Sequence, residues 1–239
     1  MEKWLVQLVC ITDGAPKNFK MRLYRNFNLK DFWPALVWLL ILSLALTQDA
    51  RVFLWSQTLD RDTVAFFQRI TQVGHANWML GSTLLVTITF FFLAKANRNQ
   101  DHRDKFRQLT HKSGFVFLSI TGAGVIAVLL KYLIGRARPS QFMEYGAYYL
   151  SPTTTNSELA SFPSGHSTNI FALAFSLSVF FPQARVPLLL FASGIAFSRV
   201  IIGEHFLSDF AGGALLAYVF VTWWKQRAKI TKPYVGESG

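Results

Sequence analysis

Six stretches of this chain stay apolar over close to the ~20 residues a helix needs to cross a bilayer. They lie at roughly 32–48, 77–95, 113–134, 166–181, 186–202 and 205–224. Hydrocarbon offers no water to peptide groups, so a lipid-exposed segment must close its own hydrogen bonds, and all six segments read as helices. The first and fourth are short for full spans. Pro139 and Pro182 are expected to stop helices, since proline removes a donor and clashes with the preceding turn. The tight 182–185 connection predicts a helical hairpin. Residues 49–76 are mixed, with Phe66, Phe67 and Ile70 at helical spacing, which predicts an amphipathic helix at the interface. The expected fold is an all-α polytopic membrane protein, one six-transmembrane-helix bundle over residues 1–239.

Composition agrees. Apolar residues make up 51% of the chain and charged residues 15%, against about 25% charged in an ordinary soluble domain. The net charge of +11 would suit nucleic acid in a soluble protein, so its placement decides. Lys3, Lys17, Lys20, Arg22, Arg25 and Lys30 precede the first span, and Lys95, Arg98, Arg103, Lys105, Arg107 and Lys112 surround the connection after the second. Lys225, Arg227, Lys229 and Lys232 follow the last span, whereas Arg51, Arg61 and Arg69 are offset by Asp49, Asp60 and Asp62. This alternation predicts six spans with both termini cytoplasmic. The basic runs then serve topology, with weak attraction to anionic lipid, and no nucleic-acid partner is expected. Residues 1–31 read as a basic cytoplasmic segment without a cleavable signal. The lone Cys10 allows no internal disulfide and reads as an inert thiol.

Three short patterns sit at segment ends. The first runs from Lys131 through Gly135-Arg136-Ala137 to Arg138-Pro139, the second is Pro163-Ser164-Gly165-His166, and the third joins Ser198-Arg199 to His205 and Asp209. With the topology above, all three fall on the non-cytoplasmic side. Lys131 and Arg138 are seven residues apart and share a face if the helix continues that far. Arg138 precedes proline, which favours extended backbone and lets its side chain turn back over the site. Lys131 could instead snorkel to the headgroups, and Arg136 reads as a surface or headgroup contact. Ser164 to His166 mark a loop entering a helix, where free N–H groups suit a phosphate. Ser164 could simply cap that helix, and His166 could be a structural histidine. His205 and Asp209 are spaced i,i+4, within reach on one helical face. A carboxylate on one ring nitrogen fixes the tautomer and frees the other for attack; a purely structural contact has the same spacing. Arg199 lies six residues upstream across Gly203-Glu204 and can face the same place.

Together, these three motifs resemble those of the type 2 phosphatidic acid phosphatase superfamily at every motif position. The motif region spans 131–209, and the six-span layout extends the resemblance over most of the chain. The resemblance implies an α-helical bundle and metal-independent hydrolysis through a phosphohistidine, with no cofactor. It makes His205 the nucleophile, Asp209 its orienting partner and His166 the general acid. Lys131, Arg138, Arg199, the Ser164 hydroxyl and the Gly165 amide would hold the phosphate. Three cations around a phosphate dianion can stabilise the charge of its transition state without Mg²⁺. His205 must then be neutral and His166 protonated, which predicts a bell-shaped pH–rate profile.

The implied setting is a bacterial inner membrane with the site facing the periplasm. The implied partners are membrane lipids and a lipid phosphate such as phosphatidylglycerophosphate, undecaprenyl diphosphate, phosphatidate or lipid A 1-phosphate. The loop 140–162, with Tyr145, Tyr148 and Tyr149, is expected to form part of the entrance. A lipid-to-lipid phosphotransferase and a non-enzymatic lipid carrier remain alternatives, while a vanadate-dependent peroxidase fits a membrane-embedded chain poorly. Oligomeric state is left open.

Overall fold

A computed structural model describes residues 32–228. Cys10, the basic residues before the first span, and Lys229 and Lys232 lie outside the described residues. All six apolar segments are helices. They are α1 (Trp33–Ser56), α3 (Ala76–Ala96), α4 (Gln100–Ile134), α6 (Gly165–Phe180), α7 (Arg185–Ile201) and α8 (Leu207–Arg227), with α2 (Arg61–Ile70) and the single-turn α5 (Phe142–Tyr145) between them. No strand appears among the described residues beyond an isolated bridge between Arg136 and Leu150. Five long segments are apolar enough to cross a membrane by length and composition: α1, α2 through α3, α4, α7 and α8. The protein is therefore an all-α polytopic membrane protein. α6 has 16 residues, about 24 Å at 1.5 Å per residue.

Two boundaries differ from the sequence reading. α1 has 24 residues and ends at Ser56, so the first segment is not short. Asp49, one residue past the expected end of the segment, is fully buried within the helix and paired with Arg136, which removes the penalty of an isolated charge. α4 runs for 35 residues, and its first turns carry Arg103, Asp104, Lys105 and Arg107, so the helix continues past its apolar part. α2 is the expected amphipathic helix. Asp60 caps it by accepting from the Thr63 amide at 2.8 Å, and none of its residues is buried.

α6 is the centre of the bundle, packed against α4, α7 and α8, while α1 lies along α8 and α3 along α4. Trp38, Phe171, Phe175, Phe210 and Tyr218 form a chain of edge-on and tilted ring contacts. In lipid, helices associate through close van der Waals packing rather than release of water, so interfaces favour small residues. Ala172 and Ala174 on α6, Ala192 and Ala196 on α7, and Ala211, Gly212, Gly213, Ala214 and Ala217 on α8 are all buried. At Gly213 the approach is tight enough that a Cβ would lie 2.7 Å from the Ser164 carbonyl oxygen. The outward faces carry Leu36, Leu40, Leu85, Phe92, Leu129 and Leu190, each more than two-fifths exposed. That is the pattern of a lipid-facing surface.

Candidate active site

The three motifs meet at one end of the bundle. α4 ends on Gly135, whose φ of +66° lies in the left-handed region, and the Gly135 amide donates to the Lys131 carbonyl at 3.0 Å. A Cβ at Gly135 would sit 1.7 Å from the Ser151 carbonyl oxygen, so only glycine fits. The helix thus stops before Arg138, and Lys131 and Arg138 do not share a helical face. Arg138 is extended (φ −76°, ψ 161°) ahead of Pro139 and reaches the site from the loop.

Lys131 Nζ donates to the Ala160 carbonyl at 3.3 Å and its stem packs over Gly165. Arg138 Nε donates to the Ser157 carbonyl at 2.9 Å. Arg138 and Arg199 share one Glu204 carboxylate oxygen, at 3.3 and 3.2 Å. A cavity of about 190 Å³ opens there, lined by Arg138, Ser140, Glu158, Gly203 and Glu204. Arg199 Nε and His166 Nε2 are buried without a hydrogen-bond partner. Such groups are costly unless something polar meets them, and a phosphate ester would supply it.

Ser164 caps α6 by accepting from the Ser167 amide at 3.4 Å. Its own amide donates to the Asp209 carbonyl at 3.0 Å, which ties the helix entrance to α8. His166 follows in the first turn, where its ring packs edge-on against His75 at 4.6 Å and against Gly74.

His205 and Asp209 are close, although not on one helical face. His205 precedes α8, and its amide is held by the Arg199 carbonyl at 3.2 Å. Asp209 is in the first turn of α8, where its Oδ2 accepts from the Phe206 amide at 2.9 Å. His205 Nδ1 lies 3.4 Å from Asp209 Oδ2 and 3.3 Å from Ser161 Oγ. Ser161 Oγ donates to the same Asp209 oxygen at 2.6 Å. Asp209 therefore favours the tautomer with the proton on Nδ1, leaving Nε2 unprotonated. Burial pulls the His205 imidazole down to about 4, with Asp209 opposing the shift, so the ring is neutral at pH 7.

Arg136 corrects the sequence reading. It is not a headgroup contact: it is 3% exposed and lies beneath the dyad. Its guanidinium pairs with Asp209 Oδ1 and Asp49 Oδ2, both at 2.7 Å, and sits 4.6 Å above the Phe206 ring. Ser161 and Asp49 also escaped the sequence reading. An acid within an apolar stretch was the available signal for Asp49; Ser161 carried none. In the loop 140–162, Tyr145 and Tyr149 stack at 4.3 Å and the Tyr148 hydroxyl donates to the Leu46 carbonyl at 2.8 Å, which seats the loop on α1.

Residues 113–231 match the PAP2 superfamily. Over 148 residues the chain is 32% identical to proteins named lipid A 1-phosphatase from Rhizobium johnstonii and Rhizobium etli. These alignments cover 60% of this chain, and 59% and 62% of the two relatives, so the chain spans about three-fifths of their length. It is 28% identical over 173 residues to undecaprenyl-diphosphatase BcrC of Bacillus subtilis, covering 71% of this chain and 86% of that protein. Its fold resembles the crystal structure of a transmembrane PAP2 type phosphatidylglycerolphosphate phosphatase from Bacillus subtilis. The TM-score is 0.58 at 20% identity, over 86% of this chain and 99% of that one. The matched region begins within α4 and takes in Lys131, His166, His205 and Asp209, and on these grounds the chain belongs to the PAP2, or type 2 phosphatidic acid phosphatase, superfamily.

Proposed function

We propose that the protein is a metal-independent lipid phosphatase that works through a phosphohistidine. The carrying observation is the convergence of a neutral, carboxylate-backed His205 with Lys131, Arg138, Arg199 and His166 at one end of the bundle. His205 Nε2 attacks phosphorus in line with the ester oxygen. As that P–O bond breaks, His166 delivers a proton to the leaving alcohol, and Asp209 stabilises the cationic His205 ring. Water then attacks the phosphohistidine, His166 takes its proton, and phosphate leaves with His205 restored. The three cations, the Ser164 hydroxyl and the Gly165 amide hold the equatorial oxygens, where charge builds in the transition state.

The chain acts as one membrane domain of six crossings, α6 being the short inner one, with both termini in the cytoplasm and the site at the periplasmic face of a bacterial inner membrane. Supporting this, Lys95 in the last turn of α3, Arg98 in the connection and Arg103, Lys105 and Arg107 in the first turns of α4 cluster at the opposite end of α4 from Lys131. A lipid phosphate can enter sideways with its headgroup at the depth of the site. Lipid A 1-phosphate and undecaprenyl diphosphate lead the candidates because the relatives carry those names; phosphatidylglycerophosphate and phosphatidate complete the panel.

The test is phosphate release by the purified protein in detergent with EDTA, substrate by substrate, beside His205→Ala. Release by the wild type alone is the expected result. A phosphate acceptor requirement would reveal a phosphotransferase, and no turnover by a folded protein would leave a carrier.

The pH profile gives a second check. A protonated His205 cannot attack. Because burial lowers its pKa to about 4, the acid limb of kcat/KM, corrected for ionisation of the substrate, is expected near pH 4. The alkaline limb should appear in kcat, as loss of the His166 proton in the substrate complex, where the phosphate dianion faces the ring. An acid limb at the ordinary histidine value of about 6.5 would contradict a buried neutral nucleophile.

A further inference from the structure

We propose that Asp49 of α1 and Arg136 form a positioning relay that holds Asp209, and through it His205, in the attacking geometry. Resting on the phosphohistidine reading above, the relay makes the first helix, which precedes the matched family region 113–231, part of the working site.

All five N–H groups of Arg136 are engaged. Nε and Nη2 donate to the Ala147 carbonyl at 3.2 and 2.7 Å. Nη2 also donates to Asp49 Oδ2, and Nη1 to Asp209 Oδ1, each at 2.7 Å. Nη1 further donates to Ser208 Oγ, which in turn donates to Asp49 Oδ2 at 2.6 Å. Asp49 Oδ1 accepts from the Ser208 amide at 2.8 Å, so a carboxylate on α1 caps the first turn of α8 from 159 positions away. Asp49 and Asp209 are both fully buried. Such a network is far more than a helix staple needs, since helices in lipid pack well through small residues alone.

The geometry points to orientation. Arg136 occupies Oδ1 of Asp209, which turns Oδ2 toward His205 Nδ1, where Ser161 and the Phe206 amide hold it. Without Arg136, two buried carboxylates would lose their shared counter-charge, which favours protonation of one of them. Without Asp49, the guanidinium keeps Ala147 and Ser208 but loses its ionic partner on Nη2, and its grip on Asp209 Oδ1 loosens. The hydrogen bonds of the Asp49 and Arg136 side chains go to Ala147, Ser208 and Asp209 and not to Lys131, Arg138 or Arg199, so the effect should fall on the chemical step and not on substrate binding.

Asp49→Asn tests this, assayed as the full chain in detergent beside wild type and His205→Ala. Loss of a partner behind a working group typically costs roughly 10- to 100-fold. A kcat loss of that order is expected, with KM and competitive inhibition by inorganic phosphate within about twofold of wild type. Asp49→Glu should recover part of the loss. Proton NMR on histidine-labelled protein should show the downfield His205 Nδ1–H signal in wild type and its loss or upfield shift in Asp49→Asn. This readout needs no turnover. If wild type itself releases no phosphate, the enzymatic reading fails while the NMR comparison still judges the relay. An unchanged kcat and an unchanged Nδ1–H signal in folded Asp49→Asn would overturn it. So would parallel decline of kcat, phosphate affinity and thermal midpoint, the mark of a merely structural role. If Asp49→Asn does not fold, Ser208→Ala removes one contact of Asp49 and one of Arg136 while keeping the amide bond to Asp49, and strands no charge. A drop in kcat at constant KM is then expected, and an unchanged kcat would overturn the proposal.

Discussion

His205→Ala is expected to abolish phosphate release, by at least about four orders of magnitude, because a nucleophile that forms the covalent intermediate has no substitute in the site. The protein should still fold. Asp209 keeps its ion pair with Arg136 and its bonds from Ser161 and the Phe206 amide when the ring is gone, so no carboxylate is left buried and alone. The direct measurement is rapid quenching with labelled substrate. Wild type should carry a phosphate that is stable in alkali and labile in acid, as a phosphorus–nitrogen bond is. His205→Ala should carry none, with an unchanged thermal midpoint. Label retained on the variant would move the nucleophile to another residue.

Gly135→Ala should have the second large effect, this time on stability. The residue adopts φ +66° and its Cβ would fall 1.7 Å from a backbone oxygen of Ser151. A left-handed alanine costs about 1 kcal/mol or more, and moving the Ser151 backbone breaks the bond from the Ser151 amide to the Gly135 carbonyl at 2.8 Å. The total is about 3 kcal/mol, a fall of roughly 6–12 °C in the unfolding midpoint for a domain of this size. Arg136 and Arg138 follow directly, so turnover should fall with stability. Thermal unfolding in detergent and the phosphatase assay together check both parts. An unchanged midpoint would mean that the loop can move aside at little cost.

The two variants probe different kinds of information. His205, Asp209, His166 and the three cations were legible as residue types at set spacings. Their separation into three motifs left open how the motifs meet. The i,i+4 spacing of His205 and Asp209 correctly implied contact, but the contact arises from the entry to α8, where Asp209 accepts the Phe206 amide, and not from a shared helical face. Ser164 proved to be a cap, which does not compete with a place beside a bound phosphate. Gly135 ended α4 earlier than the Lys131–Arg138 spacing had assumed, because a left-handed residue at the end of a helix redirects the chain.

The sequence by itself determined the helical, membrane-spanning class, the six helical segments and the identities of the motif residues. These rest on hydropathy over ~20 residues and on contacts within about one helical turn, both of which are local. Tertiary structure alone decided the position of Arg136, the burial of Asp49 within α1 and the seat of Ser161. Arg136 meets Asp209 across 73 positions and Asp49 across 87, and Ser161 meets Asp209 across 48. Over such separations no periodicity links the partners. Whether a charged side chain faces lipid headgroups or a buried counter-charge depends on which helices lie beside it, and only the packed bundle specifies that.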